Sequence, residues 1–313
     1  MEFKNLKQLM TYLQDDKRCR EYYALLRWGG CPVCPHCDRA NPYLLKSGKY
    51  RCSSKYCKKD FSVTKGTIFE KSHIALSTWM GAMFLITGHK KGISSHQLAR
   101  DMGVTQKTAW FILHRIRHIF GDPAPPPLEN IVEVDETYVG GKFANMNRGK
   151  RAFMQKYERD NKTAVMGLLE RDGKARLTVI GRNSFKEVVR ETVNNSAVIM
   201  TDTHLAYQGL AFEYAGHGTV NHSQSQYRDG LAYTNGVEGF FSCLKRSLIG
   251  IYHQVSPKHL QKYCEETSYR YNTRKITDKD RFVNTMMQAS GHRLTYNTLI
   301  QKEASKKYEN SNP

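Results

Sequence analysis

Two sets of residues in this sequence have the types and spacing for chemistry. The first is a set of acids. Asp135 lies midway along IVEVDETYVGG, Asp202 ends AVIMTD, and Glu238 opens NGVEGFFSCLKRS with 35 residues between it and Asp202. Three carboxylates converging from different elements can share two Mg2+ or Mn2+ ions. Such ions activate a water or a 3′-hydroxyl and stabilise the leaving oxygen of a phosphodiester. Asn235 and Lys245 lie three residues before and seven after Glu238, so all three share one helical face. Lys245 is therefore placed to hold a nucleic-acid phosphate. Glu136 points to the other face of its strand from Asp135, and Glu133 is an outside candidate for metal support.

The second set is cysteines. Cys34 and Cys37 form a CPHC knuckle, and after fourteen intervening residues come Cys52 and Cys57 with four residues between them. Two close pairs joined by a short strand-forming loop suit a structural Zn2+ ion, and four thiolates leave no open position for catalysis. Cys31 also stands in a Cys-x2-Cys spacing with Cys34, and His36 is a spare donor, so the register of the first knuckle is open. Six of the eight cysteines fall in the first 57 residues, which marks a local device rather than a disulfide framework.

The acids need a scaffold, and the segments around them supply its elements. IVEVDETYV alternates, with Glu133, Asp135 and Thr137 on one face and Val132 and Val134 on the other. TAVMGLLE and ARLTVIG are strands joined by a hairpin turn at Asp172-Gly173. SFKEVVRETV is a helix capped by Ser184, and AVIMTD is a buried strand. A helix-like segment, a short strand near Val220 and a long helix from about Asn235 complete the run. On that helix Val237, Phe240, Phe241, Leu244 and Leu248 form the core-facing stripe. Three strands, helix, strand, helix, strand, helix is the order of a ribonuclease-H-like fold, here spanning residues 131–285.

Ahead of it, GDPAPPPLEN holds four of the nine prolines. It reads as an extended linker over residues 121–130. The chain is thus an α+β and α/β multidomain protein. A helical segment over 1–30 comes first, then the zinc ribbon over 31–70 and helices over 71–120; a tail over 286–313 ends the chain. Within the helices, ISSHQLARDMGVTQKTAWFILHRIRHI has the marks of a helix-turn-helix. Ser94 or Ser95 can cap the first helix, Gly103 can take the turn and Thr105 can cap the second helix. A second helix entering the DNA major groove would use Gln106, Lys107 and Thr108 near its amino end. His114, Arg115 and Arg117 would add a basic face.

Charge agrees with such a partner. The 313 residues carry a formal net charge of +19, from 48 Lys+Arg and 29 Asp+Glu. Residues 1–122 hold 21 and 9 of these, and residues 123–313 hold 27 and 20. The positive field is denser where the DNA-reading modules lie. A further basic segment, Gly140 to Lys162, with seven Lys+Arg against two acids, reads as a loop that orders on DNA. The longest apolar run, Trp79 to Thr87, is half the length a membrane span needs, and MEFKNLKQLM lacks a signal-peptide stretch. A soluble, cytoplasmic and, in a bacterium, nucleoid-associated protein is expected.

Taken in order, CPHC, YRCSSKYCKKDFSVTKGTIFEKSHIALSTW, VEVDETYVGGK, TDTHLAY and YTNGVEGFFSCLKRSLIGIYHQVSPKHLQKYCEETSYRYNTR resemble transposases of the insertion-sequence group that includes the ISXO-type elements and the Merlin transposons. The resemblance runs from about residue 15 to 285. It implies that Asp135, Asp202 and Glu238 form a DDE catalytic triad, with Lys245 as the downstream basic residue. It further implies binding to the element's terminal inverted repeats through the zinc and helical region. A strand would then be cut at the element end, and the exposed 3′-hydroxyl would attack double-stranded target DNA. Two protomers or a higher synaptic assembly are expected, because two ends must meet. Two departures stand out: the second knuckle is wider than the usual two-residue spacing, and Asp38 follows the first knuckle where glycine is common. Two other functions fit the same residues: a nuclease of this fold that cleaves without joining, and a catalytically inactive zinc-containing DNA-binding regulator.

Overall fold

The computed structural model describes residues 3–121, 124–141, 143–156, 162–181, 184–202, 207, 209–220 and 233–300. The chain falls into two compact units. One comprises Met1–Leu85, Ser95–Ile119 and Phe282–Pro313, and the other Ile86–Ser94 and Phe120–Arg281. No helix among the described residues is long and apolar enough to cross a membrane.

The first unit opens with α1 (Leu6–Tyr12) and α2 (Asp16–Trp28). The side chains of Asn5 and Asp15 cap them by accepting from the backbone N–H of Gln8 and Arg18. Gly29 ends α2 in the left-handed conformation, φ 58°. A small antiparallel sheet follows, β1 (Tyr43–Leu44), β2 (Tyr50–Arg51) and β3 (Asp60–Phe61) in that order. Then come α3 (Leu76–Gly88), α4 (Ser95–Met102) and α5 (Gln106–Phe120). Between α4 and α5 Gly103 takes φ 64°, and the Thr105 hydroxyl caps α5 by accepting from Thr108 N–H.

Residues 286–300 of the expected tail are folded, while residues 301–313 lie outside the described residues. α10 (Asp278–Met287) buries Phe282 and Met286, and Leu299 of α11 (Tyr296–Ile300) is also buried. Ala289 O accepts from Ile68 N–H, and Gly291 N–H donates to Gly66 O. Phe282 meets Phe3 and Phe84 edge-on or tilted. These apolar residues supply a reason to fold back that a solvated tail lacks.

The second unit is built on one five-stranded sheet. Its strands are β4 (Ile131–Val139), β5 (Thr163–Glu170), β6 (Ala175–Val179), β7 (Val198–Asp202) and β8 (Gly216–Val220), in the order β6-β5-β4-β7-β8. β4, β5 and β6 form an antiparallel meander, turning at Asp172 with φ 59°, and β7 and β8 run parallel to β4. α7 (Phe185–Thr192) packs Val188 and Val189 against Val132, Val134, Met166 and Ile199 on one side. Ser184 and Glu187 close its capping box. α8 (Asn235–Ser247) and α9 (Pro257–Asn272) cover the other side through Val237, Phe240, Phe241, Leu244, Leu260 and Tyr263. Gly167 sits under α8, and a Cβ there would lie 2.6–2.7 Å from Phe241 and Val237. The helix can therefore lie close on the sheet.

Two sequence expectations change here. Residues 148–156 of the basic segment form a helix, α6, rather than a loop, while Lys142 and residues 157–161 lie outside the described residues. Leu128, at the end of the proline-rich stretch, is buried; its backbone N–H donates to Thr192 O and its carbonyl accepts from Asn194 N–H.

Candidate functional site

β4, β7 and α8 bring the acids together. Glu133 is in register with Met200 on the neighbouring parallel strand, so two residues further along lie Asp135 and Asp202. Gly167 is the partner of Asp135 on β5, and α8 crosses there, carrying Glu238 in its first turn. Asp135 is half-buried, and its carboxyl is pushed up to about 7. Burial is the largest cause, followed by the like charges of Glu136, Asp202 and Glu238; the Glu136 N–H, donating to Asp135 Oδ1 at 2.8 Å, works the other way. Asp202 and Glu238 thus lie near enough to act on Asp135 through their charge, and carboxylates are the ligand type that hard divalent cations take. Asn235, Glu238 and Lys245 are all exposed on α8, while Val237, Phe240, Phe241 and Leu244 are buried.

The other acids of β4 have different partners. Both oxygens of Glu133, a candidate for metal support, are engaged. Oε1 accepts from Arg171 Nε at 2.8 Å and Oε2 from Val237 N–H at 3.0 Å. Glu136 accepts from the buried Tyr207 hydroxyl at 2.5 Å. Burial and that carboxylate push the Tyr207 phenol up. Residues 203–206 of TDTHLAY lie outside the described residues.

In the first unit, the sulfurs of Cys34, Cys37, Cys52 and Cys57 all lie within 4.8 Å of one another. Cys34 and Cys57 are 3.9 Å apart, and Cys37 and Cys52 3.4 Å. A tetrahedron with Zn–S of about 2.3 Å has edges of about 3.8 Å, so this set fits one Zn2+ ion. Neither Cys31 nor His36 belongs to the group, which settles the register. Asp38 takes φ 55°, the conformation that favours glycine after such a knuckle. The wider second spacing is absorbed by a turn in which Cys57 and Lys58 N–H both donate to Ser54 O. Burial pushes the Cys52 thiol up to about 12, while the Arg39 N–H lowers Cys37.

On α5, Gln106 and Lys107 are exposed and Thr108 is half-buried. Gln106 donates to Ser95 Oγ at 2.8 Å, and the Lys107 ammonium lies 5.3 Å from the ring centre of Tyr296. Arg115 does not face solvent, nor do His114 and Arg117. The Arg115 guanidinium is 5.7 Å from Trp79 and 5.0 Å from Phe111, and it donates to Leu294 O and Glu70 O. Burial and the charge of Arg293 push it down to about 10. Arg115 is thus a packing residue and is withdrawn from the DNA-contact set. Arg115→Met should lower unfolding free energy by about 1–3 kcal/mol, because it strands the buried Glu70 carbonyl and removes the bond to the half-buried Leu294 carbonyl. Urea denaturation checks this, and a loss within experimental scatter would refute it.

Comparison with known proteins agrees with this layout. Residues 14–60 match the transposase zinc-ribbon domain, and residues 127–272 match the ISXO2-like transposase domain. A protein in transposable element ISH50 of Halobacterium salinarum is 27% identical over 276 residues, covering 82% of this chain and 90% of its own length. A transposase-like protein of Haemophilus influenzae is 25% identical over 103 residues, covering 33% of this chain and 82% of its own. A four-cysteine ribbon followed by the acid-bearing domain, matched in order by these two models, makes the chain similar to the ISXO2-like transposases of insertion sequences over residues 14–60 and 127–272.

Proposed function

We propose that the protein is a DNA transposase with a ribonuclease-H-like catalytic domain. In this proposal Asp135, Asp202 and Glu238 hold two Mg2+ or Mn2+ ions and act on the ends of the element. The observation that carries the proposal is that Asp202 on the neighbouring strand and Glu238 on α8 lie near enough to Asp135 for their charges, together with burial, to lift it to about 7. The strand order β6-β5-β4-β7-β8, with only β5 antiparallel to the rest, supports the fold assignment. When bound, Mg2+ neutralises the carboxylates and stabilises charge on the attacking and leaving oxygens of a phosphodiester.

The chain's own residues do the rest. The neighbouring parallel strands β4 and β7 carry two of the acids, and α8, which lies close on the sheet at Gly167, carries the third. Lys245, two turns along α8 on the exposed side, holds a DNA phosphate, and Asn235 lines the same face. In the first step water adds to phosphorus at the element end and gives a proton to solvent; the P–O3′ bond breaks, and the 3′-oxygen takes a proton from solvent to leave as a hydroxyl. In the second, that hydroxyl gives its proton to solvent and attacks a target phosphodiester; the target P–O3′ bond breaks and its 3′-oxygen departs with a proton from solvent. Zinc holds the ribbon, and the exposed amino end of α5 with Gln106, Lys107 and Thr108 reads the terminal repeats. Two protomers bring the two ends together.

The test is a labelled duplex carrying a terminal repeat, incubated with the full chain, Mg2+ and a target plasmid. A nick at the repeat end followed by label joined to the plasmid is the expected result. Nicking without joined product would make the protein a nuclease. Binding without nicking would make it a regulator. Lys107→Ala should weaken repeat binding and reduce the salt dependence of log K by about one charge. An unchanged salt slope would remove Lys107 from the contact set.

A further inference from the structure

Glu133 and Asp135 share one face of β4, yet they meet different partners. α8 begins at Asn235, and Thr234 at its N-cap position does not cap it with its side chain. The first N–H groups of a helix need acceptors, and a carboxylate there also meets the positive end of the helix dipole. Glu133 supplies both from a strand over 100 residues earlier. Its Oε2 accepts from Val237 N–H at 3.0 Å, one residue before Glu238. Its Oε1 accepts from Arg171 Nε at 2.8 Å. Arg171 in turn donates to Tyr233 O at 3.0 Å and stacks 3.5 Å from the Tyr233 ring centre. One ion pair therefore grips the chain at Tyr233 and at Val237, on both sides of the helix start. Gly236 completes the fit, since a Cβ there would lie 2.7 Å from Glu133 Oε2 and 2.6 Å from Leu169. Glu133 is 1% exposed, and a buried carboxylate persists where it is paired and hydrogen-bonded as here.

We infer that Glu133 is a positioning residue. It sets the Glu238 carboxylate against Asp135 by capping α8 from the strand that bears Asp135, and it is not itself a metal ligand. The inference rests on the metal-site proposal above. It joins two acids that come from distant parts of the chain: Asp135 is two residues from Glu133 along β4, and Glu238 is one residue from the group Glu133 holds. Loss of the cap frees the first turn of α8, and with it Glu238. Disturbing groups that orient metal ligands costs about 10–100-fold in metal affinity.

The test uses the full zinc-loaded chain and titrates Mn2+ by calorimetry, alongside nicking as a function of Mg2+. Glu133→Gln should weaken Mn2+ binding about tenfold and raise the Mg2+ needed for half-maximal nicking by a similar factor. The rate at saturating metal should recover to within about threefold, and metal-free repeat binding should stay as in the native chain. Because Glu133→Gln leaves Arg171 without its counter-charge, the double variant Glu133→Gln, Arg171→Gln removes both charges and should show the same weakening. Asp135→Asn is the reference and should abolish both signals. Native-like metal affinity in both Glu133 variants, with Asp135→Asn silent, overturns the positioning role alone. Complete loss in Glu133→Gln, like that of Asp135→Asn, makes Glu133 a ligand and also overturns it. Unfolding of both variants reduces Glu133 to a purely structural residue. If the native chain takes up no Mn2+, or Asp135→Asn changes nothing, the metal site itself fails.

Discussion

Asp202→Asn is expected to lower Mg2+-dependent nicking of a terminal-repeat duplex by about a thousandfold, roughly 4 kcal/mol of transition-state stabilisation. The substitution keeps the shape of the side chain and removes its charge. It leaves the core beneath it alone, since Asp202 ends β7 and is only partly buried. The same variant should show an opposite effect on stability. In metal-free protein the Asp135 carboxyl stands at about 7, well above the ordinary carboxylate range, from burial and from Glu136, Asp202 and Glu238. An acid raised in the folded state stabilises fully below its unfolded pKa of about 4, and that stability drains away as pH rises toward 7. Metal-free native protein should therefore melt lower at pH 8 than at pH 5. Asp202→Asn removes one of the repelling charges, so its fall should be smaller. Mg2+ should restore the melting temperature of the native chain at pH 8 and do much less for the variant. Unchanged nicking in Asp202→Asn would end the metal-site proposal. A melting temperature indifferent to both pH and Mg2+ would remove the electrostatic argument behind it.

The acids were legible because local periodicity carries them. Alternation along β4 puts Asp135 on a defined face, and the 3.6-residue period of α8 separates Glu238 and Lys245 from the Phe240–Phe241 stripe, which the structure buries. What local pattern cannot say is which partner a face will meet. Glu133 and Asp135 look equivalent in the sequence, yet one meets the N–H groups of a helix and an arginine, while the other meets acids. Arg115 looked solvated because a basic residue on an amphipathic helix usually is. The segment that covers it, around Leu294, is about 180 residues away in the chain. The same segment buries Met286, Ala289 and Leu299, which lie in the stretch that the sequence leaves as a tail. The basic segment misled differently: Gly140-Gly141 and its charge suggested a loop, but Arg, Lys, Ala, Met and Gln after Gly149 are good helix formers and no proline interrupts them. The choice between Cys31 and Cys37 as the partner of Cys34 in the first knuckle needed the turn itself, because both spacings are the same in sequence.

Removing zinc is expected to unfold residues 31–62 while sparing the five-stranded sheet. The ribbon's three strands are two residues each, and Tyr43, Leu44 and Tyr56 on them or between them are exposed. Its buried cluster is Cys34, Cys52 and Phe61, with Trp28, Tyr50 and Cys57 partly buried against it. Half of those residues are metal ligands, so without the ion the remaining apolar contacts fall far short of the backbone entropy of ordering the loops. The four thiols lose their protons only to the ion, since burial strongly opposes a free thiolate at Cys52. Structural zinc in such modules contributes about 10–16 kcal/mol of apparent binding energy, which is then folding energy. The sheet of the second unit has its own apolar clusters on both faces and needs no such help. Hydrogen exchange after chelation should therefore reach unfolded rates across 31–62 and stay slow in β4, β5 and β7. Repeat binding should fall by more than about tenfold, and one equivalent of Zn2+ should restore both. Cys34→Ser should reproduce the loss without chelator, because it removes a buried ligand and leaves three. Slow exchange persisting across the ribbon in zinc-free protein would show that Phe61, Tyr50 and Trp28 hold it unaided, and the metal would then be dispensable for the fold.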